Sequence, residues 1–274
     1  MIVSLSVFVS PVWAELSRGL SSKMPLSLDE LGALEKENVN LQGADEEDNS
    51  GLSFDIRKEA MKEAAISYGA RGGLSMRTFE IRGQLEKRAR YLDKVYNFRE
   101  LLIPAQSGFM IEPPVVSESL RSMIIGREGQ EAAVSDRIYN ISRNAKIVST
   151  ARNWRSYLER EWIEIEPPPD VLRPQNDEER AYWREKVQLG WVAGYAQADE
   201  IFEADLAQLM SDFQGMVRYR MLLAQGMISA PYALQTDRGV TGGGAIMRVG
   251  DRAVKITGVP QFLTGSEKWR PANR

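Results

Sequence analysis

Residues 176–227 read NDEERAYWREKVQLGWVAGYAQADEIFEADLAQLMSDFQGMVRYRMLLAQGM, and this stretch decides the fold. Val187, Trp191, Tyr195, Ala198, Phe202, Leu206, Leu209 and Phe213 recur at steps of 4, 4, 3, 4, 4, 3 and 4. Steps of three and four stack side chains on one face of an α-helix. The spacing predicts one long amphipathic helix. Asn176 or Asp177 can cap its start, and Glu178 and Glu179 suit its positive end. The pattern extends or kinks through Gly215 into Met216–Met227, and Pro231 is the expected stop. Gly190 and Gly194 form G-x-x-x-G, which outside a membrane reads as a close helix crossing.

Working outward, residues 54–100 also read as helix. Leu74, Thr78, Ile81, Leu85, Ala89, Leu92 and Tyr96 make a second stripe. Gly69, Gly72 and Gly73 mark a break or a close approach, and Pro104 is expected to end the element. From Pro113-Pro114 to Val148 the residues turn β-branched and aromatic, which predicts two or three short strands. A short aromatic helix (Trp154, Tyr157, Leu158, Trp162) and an extended connector at Pro167-Pro168-Pro169 follow. In the tail, Ala245–Val249 and Ala253–Thr257 read as a hairpin turning at Gly250-Asp251-Arg252, with Asp237–Gly244 (DRGVTGGG) as a loop before it. Pro260 ends the pairing. The expected class is α+β: long amphipathic helices packed with a small antiparallel sheet, and a C-terminal β-hairpin.

The first residues read as an address. Met1–Ala14 (MIVSLSVFVSPVWA) carry a short apolar run, a proline and small residues at a cleavage position, predicting a signal peptide cut between Ala14 and Glu15. No Lys or Arg precedes the run, so the usual basic n-region is missing. Residues 15–51 carry a net charge of −6 and one apolar patch, Leu26-Leu28-Leu31-Leu34. That is too little to bury, which predicts a flexible acidic segment with at most one small helix. Residues 52–274 form the remaining α+β domain, with a net charge of +3.

Composition excludes whole classes of chemistry. The chain has 274 residues, 43% hydrophobic and 27% charged, enough for a substantial core. Mean hydropathy is −0.34, and no apolar run approaches the roughly 20 residues of a membrane helix. Net charge is −3, which argues against binding nucleic acid through a cationic surface. There is no cysteine and no histidine. That removes thiolate nucleophiles, Ser-His-Asp triads, imidazole bases and Cys- or His-ligated metals. No cofactor or metal is expected.

Candidate chemistry is thin. The DRGVTGGG loop lacks the Lys-Ser/Thr of a phosphate-binding loop and precedes a strand, so a structural or partner-binding use is favoured, with Thr241, Gly242, Gly243 and Gly244 as candidate partner-interface residues. Glu159, Glu161, Glu164 and Glu166 offer carboxylates to a hydrolase, but alternate as a solvated face would. Trp154 and Trp162 lie eight apart beside the proline connector and are candidate interface residues. Arg82, Lys87, Arg88 and Arg90 cluster, yet Glu80, Glu86 and Asp93 interleave and neutralise them.

Seven stretches together resemble one family. They are Arg57–Leu74 (RKEAMKEAAISYGARGGL), Gln84–Phe98 (QLEKRARYLDKVYNF), Pro113-Pro114-Val115 and Trp154–Leu158 (WRSYL). Gly190–Ile201 (GWVAGYAQADEI), Asp212–Leu223 (DFQGMVRYRMLL) and Pro231–Thr257 with TDRGVTGGG complete the set. In this order the chain resembles the DotC/TraI family of type IVB secretion and IncI-type conjugation systems. The resemblance implies a non-enzymatic structural subunit at the outer membrane of a Gram-negative bacterium, facing the periplasm. It implies DotD-like and DotH-like partners in a ring-shaped core complex, with DotG-like and DotF-like components in the wider machine. Such machines pass a DNA–relaxase complex or effector proteins, and conjugation is the favoured cargo here. DotC-like proteins look like lipoproteins, but without cysteine this chain cannot be acylated that way. Membrane association is therefore expected through partners. The alternative reading is a periplasmic carboxylate-dependent peptidoglycan hydrolase, and a third is a cytoplasmic adaptor that keeps residues 1–14.

Overall fold

The computed structural model describes residues 24–34, 54–105, 108–126, 131–162 and 164–271. The fold is α+β: long helices, small antiparallel sheets and a C-terminal β-hairpin. The expected leader, with its cut between Ala14 and Glu15, lies outside the described residues. So does the acidic segment except for residues 24–34. Among the described residues no helix is long and apolar enough to cross a membrane. The chain divides into two compact units, one of Met1–Ala89 with Glu159–Ala204, the other of Arg90–Leu158 with Asp205–Arg274.

The first unit is built on a helix pair. Helix α1 spans Leu28–Gly32, α2 Phe54–Val95, α3 Arg155–Leu158 and α4 Asp177–Ala224. α2 and α4 both continue into the second unit. In the first unit Arg57 pairs with Glu179 and Arg77 with Asp199, each 122 positions apart. A constant offset means the two helices run parallel. Their contact is made by glycine on both sides. A Cβ at Gly69 would lie 2.1 Å from the Val187 carbonyl oxygen, and one at Gly73 2.2 Å from that of Trp191. Reciprocally, a Cβ at Gly190 would lie 2.1 Å from the Ile66 oxygen and one at Gly194 1.9 Å from the Ala70 oxygen. No side chain fits, so the two backbones touch. The glycines of α2 are therefore a close approach, and the helix continues through them. Beside this seam Met61, Ala65, Tyr68, Trp183 and Val187 form the core.

Asn176 caps α4, its Oδ1 accepting the Glu179 N–H at 2.8 Å. Burial pushes the Glu179 carboxyl up, but the Arg57 guanidinium and the Gln175 N–H outweigh it and hold it below the usual carboxylate range. The helix passes Gly215 without a break and ends at Ala224, well before Pro231, with Gly226 just past the cap. Gly226 has φ +72°, the Met227 N–H donates to the Leu222 oxygen, and the Gly226 N–H donates to that of Leu223. That is a Schellman stop, which needs a glycine where the backbone turns left-handed.

Residues 24–34 hold the one small helix that the acidic segment was expected to allow. Ser27 and Glu30 form a capping box on α1. Leu31 is fully buried among the core residues, and the Trp183 Nε1–H donates to the Leu31 oxygen at 3.1 Å. Gly72 leaves the space Leu31 fills, since a Cβ there would meet Leu31 Cδ1 at 2.2 Å. Four leucines were too few to stabilise a free segment, but they suffice once a glycine-lined helix pair offers them a seat.

The second unit holds the strands. Ile103–Pro104 (β1), Met110–Glu112 (β2) and Lys146–Val148 (β5) make a three-stranded antiparallel sheet in the order β1-β2-β5. Val115–Gly126 (β3) and Glu131–Arg143 (β4) make a long hairpin, with Val116 opposite Ile141 and Gly126 opposite Glu131. The two or three short strands expected between Pro113 and Val148 are three, β3, β4 and β5, of which β3 and β4 are long. Pro104 does not end α2, which stops at Val95, but sits in β1. Val116, Tyr219, Leu222 and Ile228 form a core cluster, with Ile103, Tyr139 and Ile141 against it. Gly215 admits β3, as a Cβ there would lie 2.4 Å from Val115 Cγ1.

Burial of Tyr219 has a pH consequence. It pushes the phenol up to about 12, with Arg220 pulling weakly the other way. The unfolded phenol titrates near pH 10. The folded state therefore keeps its proton where the unfolded state has lost it. That contribution to stability is complete below about pH 10 and is lost as pH rises towards about 12. Chemical-denaturation midpoints are expected to fall across that window, and Tyr219→Phe is expected to flatten part of the fall. An unchanged slope in Tyr219→Phe would remove Tyr219 as its source.

Candidate functional site

The glycine-rich tail is strand. Tyr232–Gly243 (β6) pairs antiparallel with Ile246–Gly258 (β7), from Tyr232 opposite Gly258 to Gly243 opposite Ile246. The turn is Gly244-Ala245, with Gly244 at φ +61°. Positive φ at the first central residue is what glycine supplies to a two-residue hairpin turn. This corrects two expectations: Asp237–Gly243 is not a loop, and Gly250-Asp251-Arg252 is not the turn. Gly250, at φ +72°, instead lies inside β7, where the register shifts between Gly239 and Val240. A second shift lies between Asp237 and Gly239. One extra residue on each strand (Arg238 and Gly250) restores the register, and such bulges sharpen local twist.

Thr241, Gly242, Gly243 and Gly244 are therefore brought together at the hairpin tip. Thr241 Oγ1 donates to Asp251 Oδ2 at 2.6 Å. Val240, Ile246, Met247 and Val249 surround them, 62–74% exposed. The sequence reading missed these four residues because it placed the turn one bulge too late. The signal was present in the β-branched residues on both sides of the triple glycine.

The tryptophans behave differently. Trp154 is 1% exposed within the second unit, its Nε1–H donating to Asp93 Oδ1 at 2.7 Å. The Arg155 guanidinium lies 4.4 Å over its ring. Its ring is a core element, and a direct partner contact does not fit its burial. Trp162 lies in the first unit, half-buried, edge-on to Phe79 at 5.1 Å with Arg82 over its face. It is not on the α3 helix, which is a single turn ending at Leu158.

The carboxylates that converge are not the expected ones. Glu161, Glu164 and Glu166 are exposed on irregular chain. In the second unit Glu112 (4% exposed) and Asp212 (1%) share one guanidinium, that of Arg152. Arg152 Nε and Nη2 donate to the two Glu112 oxygens at 2.8 and 2.5 Å. Its Nη1 donates to Asp212 Oδ2 at 2.9 Å, and Tyr157 O–H donates to the same oxygen at 2.7 Å. Gln208 and Arg143 complete the Asp212 shell. In the first unit Arg77 bridges Asp199 at 2.7 Å and Glu80 at 3.0 Å, with the Tyr195 hydroxyl against Glu80. Each converging pair is held by a cation between its members. That arrangement ties together the elements that carry each pair and offsets the charge of its carboxylates. Among the described residues no group of three or more acidic side chains is placed to hold a metal ion.

The described residues thus combine a parallel helix seam, two arginine-bridged carboxylate pairs and an exposed hairpin tip. A family described as type IV secretory system, conjugal DNA-protein transfer matches residues 55–271. The chain belongs to this TraI family and is a conjugation-associated type IV secretion protein. No curated protein matches the chain.

Proposed function

We propose that the chain is a non-enzymatic, DotC-like structural subunit of the outer-membrane core complex of a type IVB secretion system that transfers conjugative plasmid DNA. The observation that carries this reading is the β6–β7 hairpin, which projects Val240, Ile246, Met247 and Val249 into solvent at a tip of small residues. Exposed apolar surface of this kind is kept where a partner covers it. Family membership supplies the machine. DotD-like and DotH-like subunits are the proposed neighbours, with DotG-like and DotF-like components further out. The place is the periplasmic side of the outer membrane. Attachment to the membrane is proposed to run through these partners. No direct contact with nucleic acid is proposed.

The test is affinity purification of the tagged chain from envelopes of conjugating donors. Expected is a large ring-shaped complex containing the DotD-like and DotH-like proteins. A monomer recovered from the cytoplasm, with residues 1–14 attached, contradicts the proposal. The hydrolase alternative is opposed by the arginines that occupy both carboxylate pairs. Purified protein is expected to release no muropeptides from sacculi, and release abolished by Glu112→Gln would favour the hydrolase.

A further inference from the structure

We propose that the β6–β7 hairpin pairs edge to edge with the same hairpin on neighbouring copies of this chain. The free edge of β7 on one copy lies against the free edge of β6 on the next, so that successive copies build one antiparallel β-wall. This rests on the reading of the chain as a repeated ring subunit.

The first ground is the open backbone. Among the described residues β6 and β7 form a two-stranded sheet, so each strand has one unpaired edge. The strands are 12 and 13 residues long. A two-stranded ribbon of this kind is marginal in water, and its N–H and C=O rows are a template for another strand. Proline is a common guard against such pairing. Here Pro231 and Pro260 flank the hairpin, and none lies within either strand.

The second ground is the alternation of faces. Paired residues share a face, and so do alternate residues along a strand. Val240 with Val249 and Gly242 with Met247 therefore lie on one face, and Thr241 with Arg248 on the other. The distal hairpin thus has one wholly apolar face, with Val240, Met247 and Val249, and a mixed one where Thr241 and Arg248 stand beside Ile246, so its two sides suit different surroundings. The paired bulges give it the twist a curved wall needs.

The third ground is charge, and it selects a second copy. Asp237 lies opposite Arg252 within the hairpin. Copies stacked at equal height set each Arg252 beside the next copy's Asp237, so every carboxylate is flanked by two guanidinium groups. The β7 edge, with Arg248, Arg252 and Lys255 against Asp251, is cationic overall. Another β7 edge would repel it, so head-to-tail pairing is favoured over like-with-like. Head-to-tail contacts of this type close into a ring when the rotation from copy to copy divides a full turn. A bare lipid surface is a poorer occupant, because it leaves both edges unsatisfied.

The chain has no cysteine, which gives cross-linking a clean background. Two differently tagged full-length copies, each with one cysteine, are produced together in donors carrying the rest of the system. One carries Gln235→Cys, Thr236→Cys or Thr241→Cys on β6, and the other Arg248→Cys, Val254→Cys or Lys255→Cys on β7. Oxidation is expected to give mixed disulfide dimers for at least one β6/β7 combination, at ten or more times the yield of β6/β6 or β7/β7 pairs. No dimer from any of the nine combinations overturns the proposal, as does dominance of same-strand dimers. Shielding of Met247→Cys from a water-soluble maleimide by vesicles, without dimers, overturns it in favour of lipid. Co-purification with envelope partners is read separately. If it persists without cross-links, only the hairpin pairing fails. If mixed dimers form in a chain that captures no envelope partner, the core-complex reading fails.

Discussion

Gly194→Ala is expected to destabilise the protein by about 3 kcal/mol, at the upper end of what overpacking costs, although alanine is the better helix former by about 1 kcal/mol. The added methyl would sit 1.9 Å from the Ala70 oxygen and 2.8 Å from its Cα. Both are backbone atoms, and no rotamer change moves them. The helices must separate, and the reciprocal contacts at Gly69, Gly73 and Gly190 loosen with them. Gly83→Ala is the matched control, since nothing lies within 4 Å of its Cβ position. It is expected to stabilise α2 by up to about 1 kcal/mol. Denaturant midpoints of the two variants should therefore move in opposite directions. Equal shifts in the same direction would mean the seam is not close-packed.

Arg152→Ala is expected to cost about 3–5 kcal/mol, the range for stranding a buried charge. Its guanidinium is half of the shell around two carboxylates that are nearly solvent-free. Asp212 would keep Arg143, Tyr157 and Gln208. Glu112 would keep only the longer contact to Lys146 at 3.6 Å among its ion pairs. Adding Glu112→Gln to Arg152→Ala should therefore recover a large part of the loss, more than adding Asp212→Asn. Thermal or urea unfolding of the single and double variants reads this directly. Equal recovery from both second substitutions would show that Glu112 is not the more exposed to the loss.

The helices were legible in the sequence because their evidence is local. A stripe at steps of three and four, an Asn followed by Glu-Glu, and G-x-x-x-G each act within one element. The spacing gave the helices but not their direction. Parallel packing shows only in pairs such as Arg57 with Glu179, which lie 122 positions apart. The hairpin was legible in kind but not in place. Three consecutive glycines suggest a loop, yet only Gly244 belongs to the turn, while Gly242 and Gly243 pair with Met247 and Ile246. Two offset bulges hid the alternation that would have set the register. Arg152 carried no signal, since its two carboxylate partners lie 40 and 60 residues away. Trp154 was read as surface because it neighbours a proline connector, whereas Asp93 satisfies its N–H and lets the ring be buried.

The hairpin tip is the proposed working surface of the chain, and trimming it tests that directly. Donors lacking this chain are complemented with a version in which residues 238–251 are replaced by an Asn-Gly turn. This shortens the hairpin to its Asp237–Arg252 rung and leaves the core residues of both units in place. The trimmed protein should fold with an unchanged helix signal, and mating frequency should drop to that of donors without the chain. Normal mating from donors carrying the trimmed hairpin would contradict the account.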